Sequence, residues 1–234
     1  MSDQPWSQQG NDGEGRGATG RGSVERLELS RRAQTVARRA AEAKATIPHL
    51  YLTRTVEPDS PAVEARVGPL LVAVARSLSE HRGLNAGYRD GGIERYSRVN
   101  LGFTVETPEG AQVPTVFDAD QLTKEEIATR VGRLSAAACD GSLTAPEVSG
   151  STFSVTLIEA GADAVLPIVS PGHSGHVALG RPRSGVVPDG DSSRKAVISD
   201  LTLACDQRAV RPSEAAAFLG RAAALLEESG AAGG

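Results

Sequence analysis

Residues 98–117, RVNLGFTVETPEGAQVPTVF, decide the fold class. Arg98–Glu106 and Ala111–Phe117 are rich in β-branched and apolar side chains, and Pro108-Glu109-Gly110 between them is turn chemistry. Two strands joined by a turn are therefore expected. Six residues beyond Phe117, Thr123 and Glu126 have the spacing of a capping box, in which each side chain satisfies the other's backbone N–H. That predicts a long helix reaching about Ala138. A strand pair feeding a capped helix makes this an α/β chain.

Upstream, Leu29, Ala33, Val36, Ala37 and Ala40 recur at helical spacing after a cap near Ser30. The arginines Arg31, Arg32, Arg38 and Arg39 form the solvated side of that helix. His49–Glu57 alternates as a strand, with Leu50, Leu52 and Val56 on one side. Gly68-Pro69 is expected to open a second helix, with Pro69 in the first turn, where its missing N–H costs nothing. That helix continues through Leu70, Leu71, Val74 and Leu78 towards Gly83. Downstream, strands are expected at Thr152–Ile158, Val165–Val169, His176–Gly180 and Ala196–Cys205. A last helix starts near Ser213 and buries Ala217, Phe218 and Leu225. Strands and helices without strict alternation imply a sandwich of helices packed on a mixed sheet.

The chain has 234 residues, enough for one sizeable domain. Residues 1–23 are polar and glycine-rich and read as a disordered tail containing the only tryptophan, Trp6. Residues 24–229 form the domain, and 230–234 should fray. A net charge of -4 and 3% aromatic residues argue against nucleic acid as a partner. No apolar run of about 18 residues is present, so no membrane span is expected. With no secretory signal visible, the chain reads as cytoplasmic. Cys139 and Cys205 have neither metal-ligand nor disulfide spacing and read as two small buried thiols.

Particular segments resemble a known family. The stretch Ile47-Pro48-His49-Leu50-Tyr51, then Leu84-Asn85-Ala86, is similar to the entry of the catalytic domain of 2-oxoacid dehydrogenase acyltransferases. Val99-Asn100-Leu101-Gly102, Thr107-Pro108-Glu109-Gly110 with Val113-Pro114, Gly141-Ser142-Leu143 and Gly150-Ser151-Thr152-Phe153 follow in the family's order. Pro167-Ile168-Val169 and Leu179-Gly180 complete it. The resemblance covers about residues 30–228. It implies a chloramphenicol-acetyltransferase-like sandwich, built as a homotrimer with sites between subunits. The short tail leaves no room for lipoyl-bearing or subunit-binding domains, so a free-standing domain outside a dehydrogenase complex is expected.

The resemblance also implies where the chemistry should be. The family motif D-H-R-x-x-D-G stands here as Asp206-Gln207-Arg208-Ala209-Val210-Arg211-Pro212. In the family the histidine takes a proton from the thiol of coenzyme A or dihydrolipoamide. Gln207 occupies that place, and an amide neither accepts nor returns a proton near neutral pH. A positioned base is worth about 10²–10⁴ in rate. Arg211 reverses the sign of the family's carboxylate, and Pro212 removes a backbone donor. The family's hydroxyl before its Pro-Ile segment, an oxyanion donor, has no counterpart in Ala164-Val165-Leu166.

The altered positions are therefore the candidates for a changed role. Gln207 and Arg211, with His176, are the expected catalytic residues; Val165, Leu166, Asp206 and Arg208 are expected to bind substrate. Asp206 and Arg208 can equally hold the architecture of the turn. His173 reads as a satisfied structural imidazole, His49 as structural, and His81 as exposed. The histidine pair at 173 and 176 has no third ligand, so no metal is expected. Three functions compete. One is a repurposed enzyme acting on a small molecule, for example in a natural-product cyclisation, where orientation supplies the rate. Another is a coenzyme A-dependent acyltransferase with a replacement base. The third is a non-catalytic trimeric binding or assembly protein. No cofactor is expected to be required, with coenzyme A the candidate if acyl transfer is retained. The Ala-, Gly- and Arg-rich composition fits a high-GC bacterium.

Overall fold

The computed structural model describes residues 6–7, 25–58, 63–107, 110–158 and 161–231. Most of the tail expected over 1–23, the turn residues Pro108 and Glu109, and 232–234 lie outside these. A short ribbon pairs β1 (Trp6–Ser7) with β2 (Glu28–Leu29). Helix α1 (Arg31–Thr46) starts as its sequence demands: the Ser30 hydroxyl accepts the Ala33 N–H. It stops at Ile47, which Pro48 forces into extended backbone.

Strand β3 (His49–Val56) follows, then α2 (Val63–Glu80). This helix begins six residues before the expected start, so Pro69 lies inside it and not in its first turn. Gly68 lowers the cost of that placement. The clash that bars helical backbone before a proline involves the preceding Cβ, which glycine lacks. Leu70, Leu71, Val74 and Leu78 are fully buried on one face of α2, each contributing about 1.5–3 kcal/mol.

The hairpin β4 (Ala86–Arg89) and β5 (Gly92–Arg95) was not expected. Its turn holds Asp90 and Gly91 at φ 48° and 84°, the pair of left-handed residues that a tight hairpin needs. β6 (Leu101–Phe103) and β7 (Thr115–Val116) are the cores of the two strands read from residues 98–117. Asn100 ties this region together, donating to the Gly150 carbonyl and accepting the Asp118 N–H. Helix α3 (Lys124–Cys139) carries the capping box between Thr123 and Glu126.

The last third contains β8 (Phe153–Leu157), β9 (Gly175–Leu179), β10 (Arg183–Asp189), β11 (Ser192–Asp206) and α4 (Pro212–Ala231). β11 is the spine of a mixed seven-stranded sheet. Its first half pairs with β10 and its second half with β3 and β9. β9, β8 and β6 run parallel, and β7 closes the far edge. β10 was missed by sequence reasoning because Arg183–Asp189 contains a glycine and a proline.

No strand forms at Val165–Val169, where one was expected; residues 161–174 run irregularly across the sheet. Their backbone is held by side chains and close approach, not by a ladder. At Gly180 a Cβ would lie 1.7 Å from the Asp163 carbonyl oxygen, so only glycine permits that approach.

Helices α2 and α4 cover one face of the sheet, with α3 beside α2. Phe153 of β8 meets Phe218 of α4 at 5.7 Å between ring centroids. The buried side of α4 is Ala215, Phe218, Leu219, Ala222, Ala223 and Leu226. Ala217, expected inside, is exposed, one position off that stripe. Cys205 is buried as expected, but Cys139 is exposed at the end of α3. His81 is half-buried against Phe218, ring to ring at 6.2 Å, and not exposed as expected. No helix among the described residues is long and apolar enough to cross a membrane.

Candidate functional site

Side chains alternate across a strand, so the sheet has two chemically different faces. Phe153 and Val155, Val177 and Leu179, Leu201 and Leu203 point into the main core. The opposite face carries Ser154, Thr156, His176, Thr202 and Thr53. Register places Ser154, His176, Ala204 and Tyr51 in one cross-strand row. Thr156, Ala178, Thr202 and Thr53 form the next row. The Thr53 and Thr202 hydroxyls meet at 3.1 Å.

His176 sits in the middle of this polar face. Its Nδ1 is 2.9 Å from the Ile168 carbonyl oxygen. A carbonyl only accepts, so Nδ1 carries the proton and Nε2 is an acceptor. Nε2 receives the Thr156 hydroxyl at 2.9 Å. Thr156 Oγ1 in turn accepts from Thr104 at 2.8 Å, since its own hydrogen is already committed. Burial pushes the His176 pKa down to about 4; the Ile168 carbonyl opposes that and nearby His173 adds to it. The ring is neutral at pH 7.

His173 is buried, with both nitrogens satisfied. Nε2 donates to the Ser151 carbonyl at 2.8 Å, and Nδ1 accepts from Ser154 at 3.1 Å. Burial lowers its pKa. His49 is likewise fixed: Nδ1 donates to the Ile47 carbonyl at 2.8 Å, and Nε2 accepts the Val169 N–H at 3.0 Å.

At the end of β11 the Asp206 carboxylate is buried. It accepts the Arg208 backbone N–H at 3.0 Å and a two-pronged grip from the guanidinium, Nε at 2.9 Å and Nη2 at 2.7 Å. Arg208 also lies 4.2 Å from the centroid of the Tyr88 ring. The Asp206 N–H donates to the Ser174 carbonyl, which brings the end of β11 beside the start of β9. Asp206 and Arg208, named as candidate binding residues, thus spend their charges on each other and clamp the turn into α4.

Gln207 is exposed, its backbone N–H donating to the Pro48 carbonyl at 3.0 Å. Arg211 is exposed beside the first turn of α4, which opens with Pro212. A cation there is disfavoured by the helix dipole by about 0.3–1 kcal/mol, so stability does not account for it. Val165 is half-buried and Leu166 is 58% exposed on the irregular segment, two residues before the backbone that holds His176. The structure therefore brings His176 and the Asp206–Arg208 clamp to the same end of β9 and β11, whereas the segment carrying Val165 and Leu166 runs from the Gly180 end of β9 towards His176. Gln207 and Arg211 lie at the surface of the same turn. Among the described residues no cluster of three or more His, Cys, Asp or Glu could hold a metal.

Sequence reasoning missed Thr104 and Thr156. The signal was present: Ser154 and Thr156 alternate with the apolar Phe153, Val155 and Leu157, marking a polar face opposite the core.

The model of the 2-oxoacid dehydrogenases acyltransferase (catalytic domain) family matches residues 64–232. The dihydrolipoyllysine-residue acetyltransferase component of the acetoin cleaving system of Bacillus subtilis is 32% identical over 180 residues, covering 74% of this chain and 45% of that protein. The chain thus spans under half of that relative's length. A solved structure of Azotobacter vinelandii dihydrolipoamide acetyltransferase matches at TM-score 0.81 and 24% identity, covering 90% of this chain and 94% of the other. That structure was determined to examine a serine, a histidine and an asparagine in its mechanism. Chloramphenicol acetyltransferase matches at TM-score 0.54 and 11% identity, over 81% and 94% of the two chains. These likenesses establish the fold, a chloramphenicol-acetyltransferase-like sandwich.

Proposed function

Since the chain belongs to the family of 2-oxoacid dehydrogenase acyltransferase catalytic domains, we propose that it is a homotrimeric enzyme that acts on a small molecule without the family's histidine base. The reaction is one that positioning accelerates, such as the cyclisation of an open-chain precursor in natural-product assembly. The observation that carries this reading is Gln207: a neutral amide stands exposed where the resemblance places the base. Holding reacting groups in place supplies about 7–11 kcal/mol in favourable cases, without a proton acceptor. Leu166 and Val165 offer an apolar wall, while Gln207 and Arg211 offer polar contacts to a carbonyl or an anionic group.

A gene-deletion strain tests this by its metabolites. It should accumulate an open-chain compound that the purified protein converts to a ring. An unchanged metabolite profile contradicts the reading.

A second reading, coenzyme A-dependent acyl transfer with a replacement base, is favoured by one observation. His176 presents an unprotonated Nε2 to a hydroxyl on the polar sheet face.

A further inference from the structure

The β4–β5 hairpin stands apart from the rest of the fold. Among the described residues its two strands pair only with each other, and every residue of β5 is exposed. A two-stranded ribbon has little stability of its own, so its position is set by what touches it.

The base of the hairpin is fixed. The buried Asn85 side chain donates to the Tyr96 and Arg98 carbonyls, at 3.0 and 2.8 Å. The Tyr96 N–H returns to the Asn85 carbonyl at 2.9 Å. On the other side, the Tyr96 hydroxyl donates to the Gly172 carbonyl at 2.7 Å. Gly87 lies against that same carbonyl, where a Cβ would come within 2.3 Å of the oxygen.

Beyond this base the hairpin meets the body through Tyr88, whose ring centroid lies 4.2 Å from the Arg208 guanidinium carbon. Further out, Arg89 and Glu94 face each other across the hairpin at 3.7 Å. Arg208 is a rigid platform for the ring. Its Nε and Nη2 grip the buried Asp206 carboxylate edge-on, which leaves the flat face of the guanidinium for stacking. The platform adjoins Gln207, whose backbone is tied to Pro48.

We propose that the β4–β5 hairpin is a flap that pivots on its Asn85–Gly172 base and is latched closed by Tyr88 on Arg208. Undocking uncovers the face of Arg208 beside Gln207, and docking covers it again. The ladder between the two strands moves as one ribbon, so opening costs the latch and leaves the hairpin's own hydrogen bonds intact. A cation–π contact biases a local equilibrium by about 2- to 30-fold, a grip that thermal motion releases. The device rests on these contacts and is independent of the reaction proposed above.

The test places nitroxides at Ile93→Cys and Ser213→Cys in a Cys139→Ser background of the full chain. Positions 93, 213 and 139 are exposed, and Cys205 is buried. Pulsed electron paramagnetic resonance, with the labelled chain diluted in unlabelled chain, gives the distribution of distances between hairpin and helix α4. The expected result is a predominant latched distance with a minor open population. Tyr88→Leu keeps apolar bulk without an aromatic face, and should raise the ratio of open to latched at least threefold with an unchanged melting temperature. Tyr88→Phe keeps the face and should match the wild type. A single distance that stays put in Tyr88→Leu overturns the flap. A wild type as broadly distributed as Tyr88→Leu overturns the latch, and so does a Tyr88→Phe chain that opens like Tyr88→Leu.

Discussion

His49 and His176 hold adjoining backbone groups of one irregular segment. His49 Nε2 accepts the Val169 N–H at 3.0 Å, and His176 Nδ1 donates to the Ile168 carbonyl at 2.9 Å. Two imidazoles from neighbouring regions of the sheet thus do for residues 168–169 what a partner strand would otherwise do. Burial holds the His176 ring neutral, which fixes its tautomer in this arrangement.

Replacing His49 with Ala leaves the fully buried Val169 without an acceptor for its N–H. An unsatisfied buried backbone group costs about 1–3 kcal/mol. Urea denaturation of His49→Ala should show a loss of that size, and a change under about 0.5 kcal/mol would mean that Val169 finds another partner.

The neutrality of His176 makes stability depend on pH. Its pKa falls from 6.5 to about 4 in the folded chain, so the unfolded chain binds the proton more readily. The stabilisation is fully present above about pH 6.5 and is lost as the pH falls to about 4, on the order of 3 kcal/mol in all. His173, also lowered by burial, adds in the same direction. Denaturation at pH 7, 5.5 and 4.5 should show this decline, and His176→Gln should flatten part of it. An equal slope in the variant would place the titration elsewhere.

The two thiols should react very differently. Cys139 is exposed, whereas burial and the nearby carboxylates of Asp206 and Glu214 push Cys205 up to about 12. One equivalent of thiol should react quickly with a disulfide reagent at pH 8, and the second only on unfolding. Two fast equivalents would show that the core around Cys205 opens.

Cutting the clamp beyond β11 tests its role. Asp206→Ala removes the acceptor for both the Arg208 backbone and its guanidinium. Charge-assisted bonds of this kind contribute about 1.5–3 kcal/mol, so thermal unfolding should shift down by several degrees. An unchanged melting temperature would free Arg208 for a substrate role instead.

Much of this molecule was legible from its residues, for identifiable reasons. The capping box at Thr123 and Glu126, the cap at Ser30 and the alternation of β3 are local signals, and each element lies where they point. Pro69 misled because Gly68, lacking a Cβ, removes part of the clash that makes proline a helix boundary. Val165–Val169 misled because an apolar run looks like a strand whether its backbone bonds go to a ladder or to two histidines. Within the site, the loss of the base at Gln207 could be read directly. The Thr104–Thr156–His176 chain could not, since its members are far apart in sequence and meet only through the parallel pairing of β6, β8 and β9.

The most direct test of the central claim, that this member of the family works without a base at position 207, is a turnover assay. Purified protein would be given acetyl-coenzyme A and dihydrolipoamide, and acetyl-dihydrolipoamide followed over many enzyme equivalents. The account predicts no multiple turnover, because Gln207 cannot deprotonate the acceptor thiol. It predicts the same for Gln207→His alone, because Arg211 still stands where the resemblance places a carboxylate. Sustained turnover by the unaltered chain would contradict it.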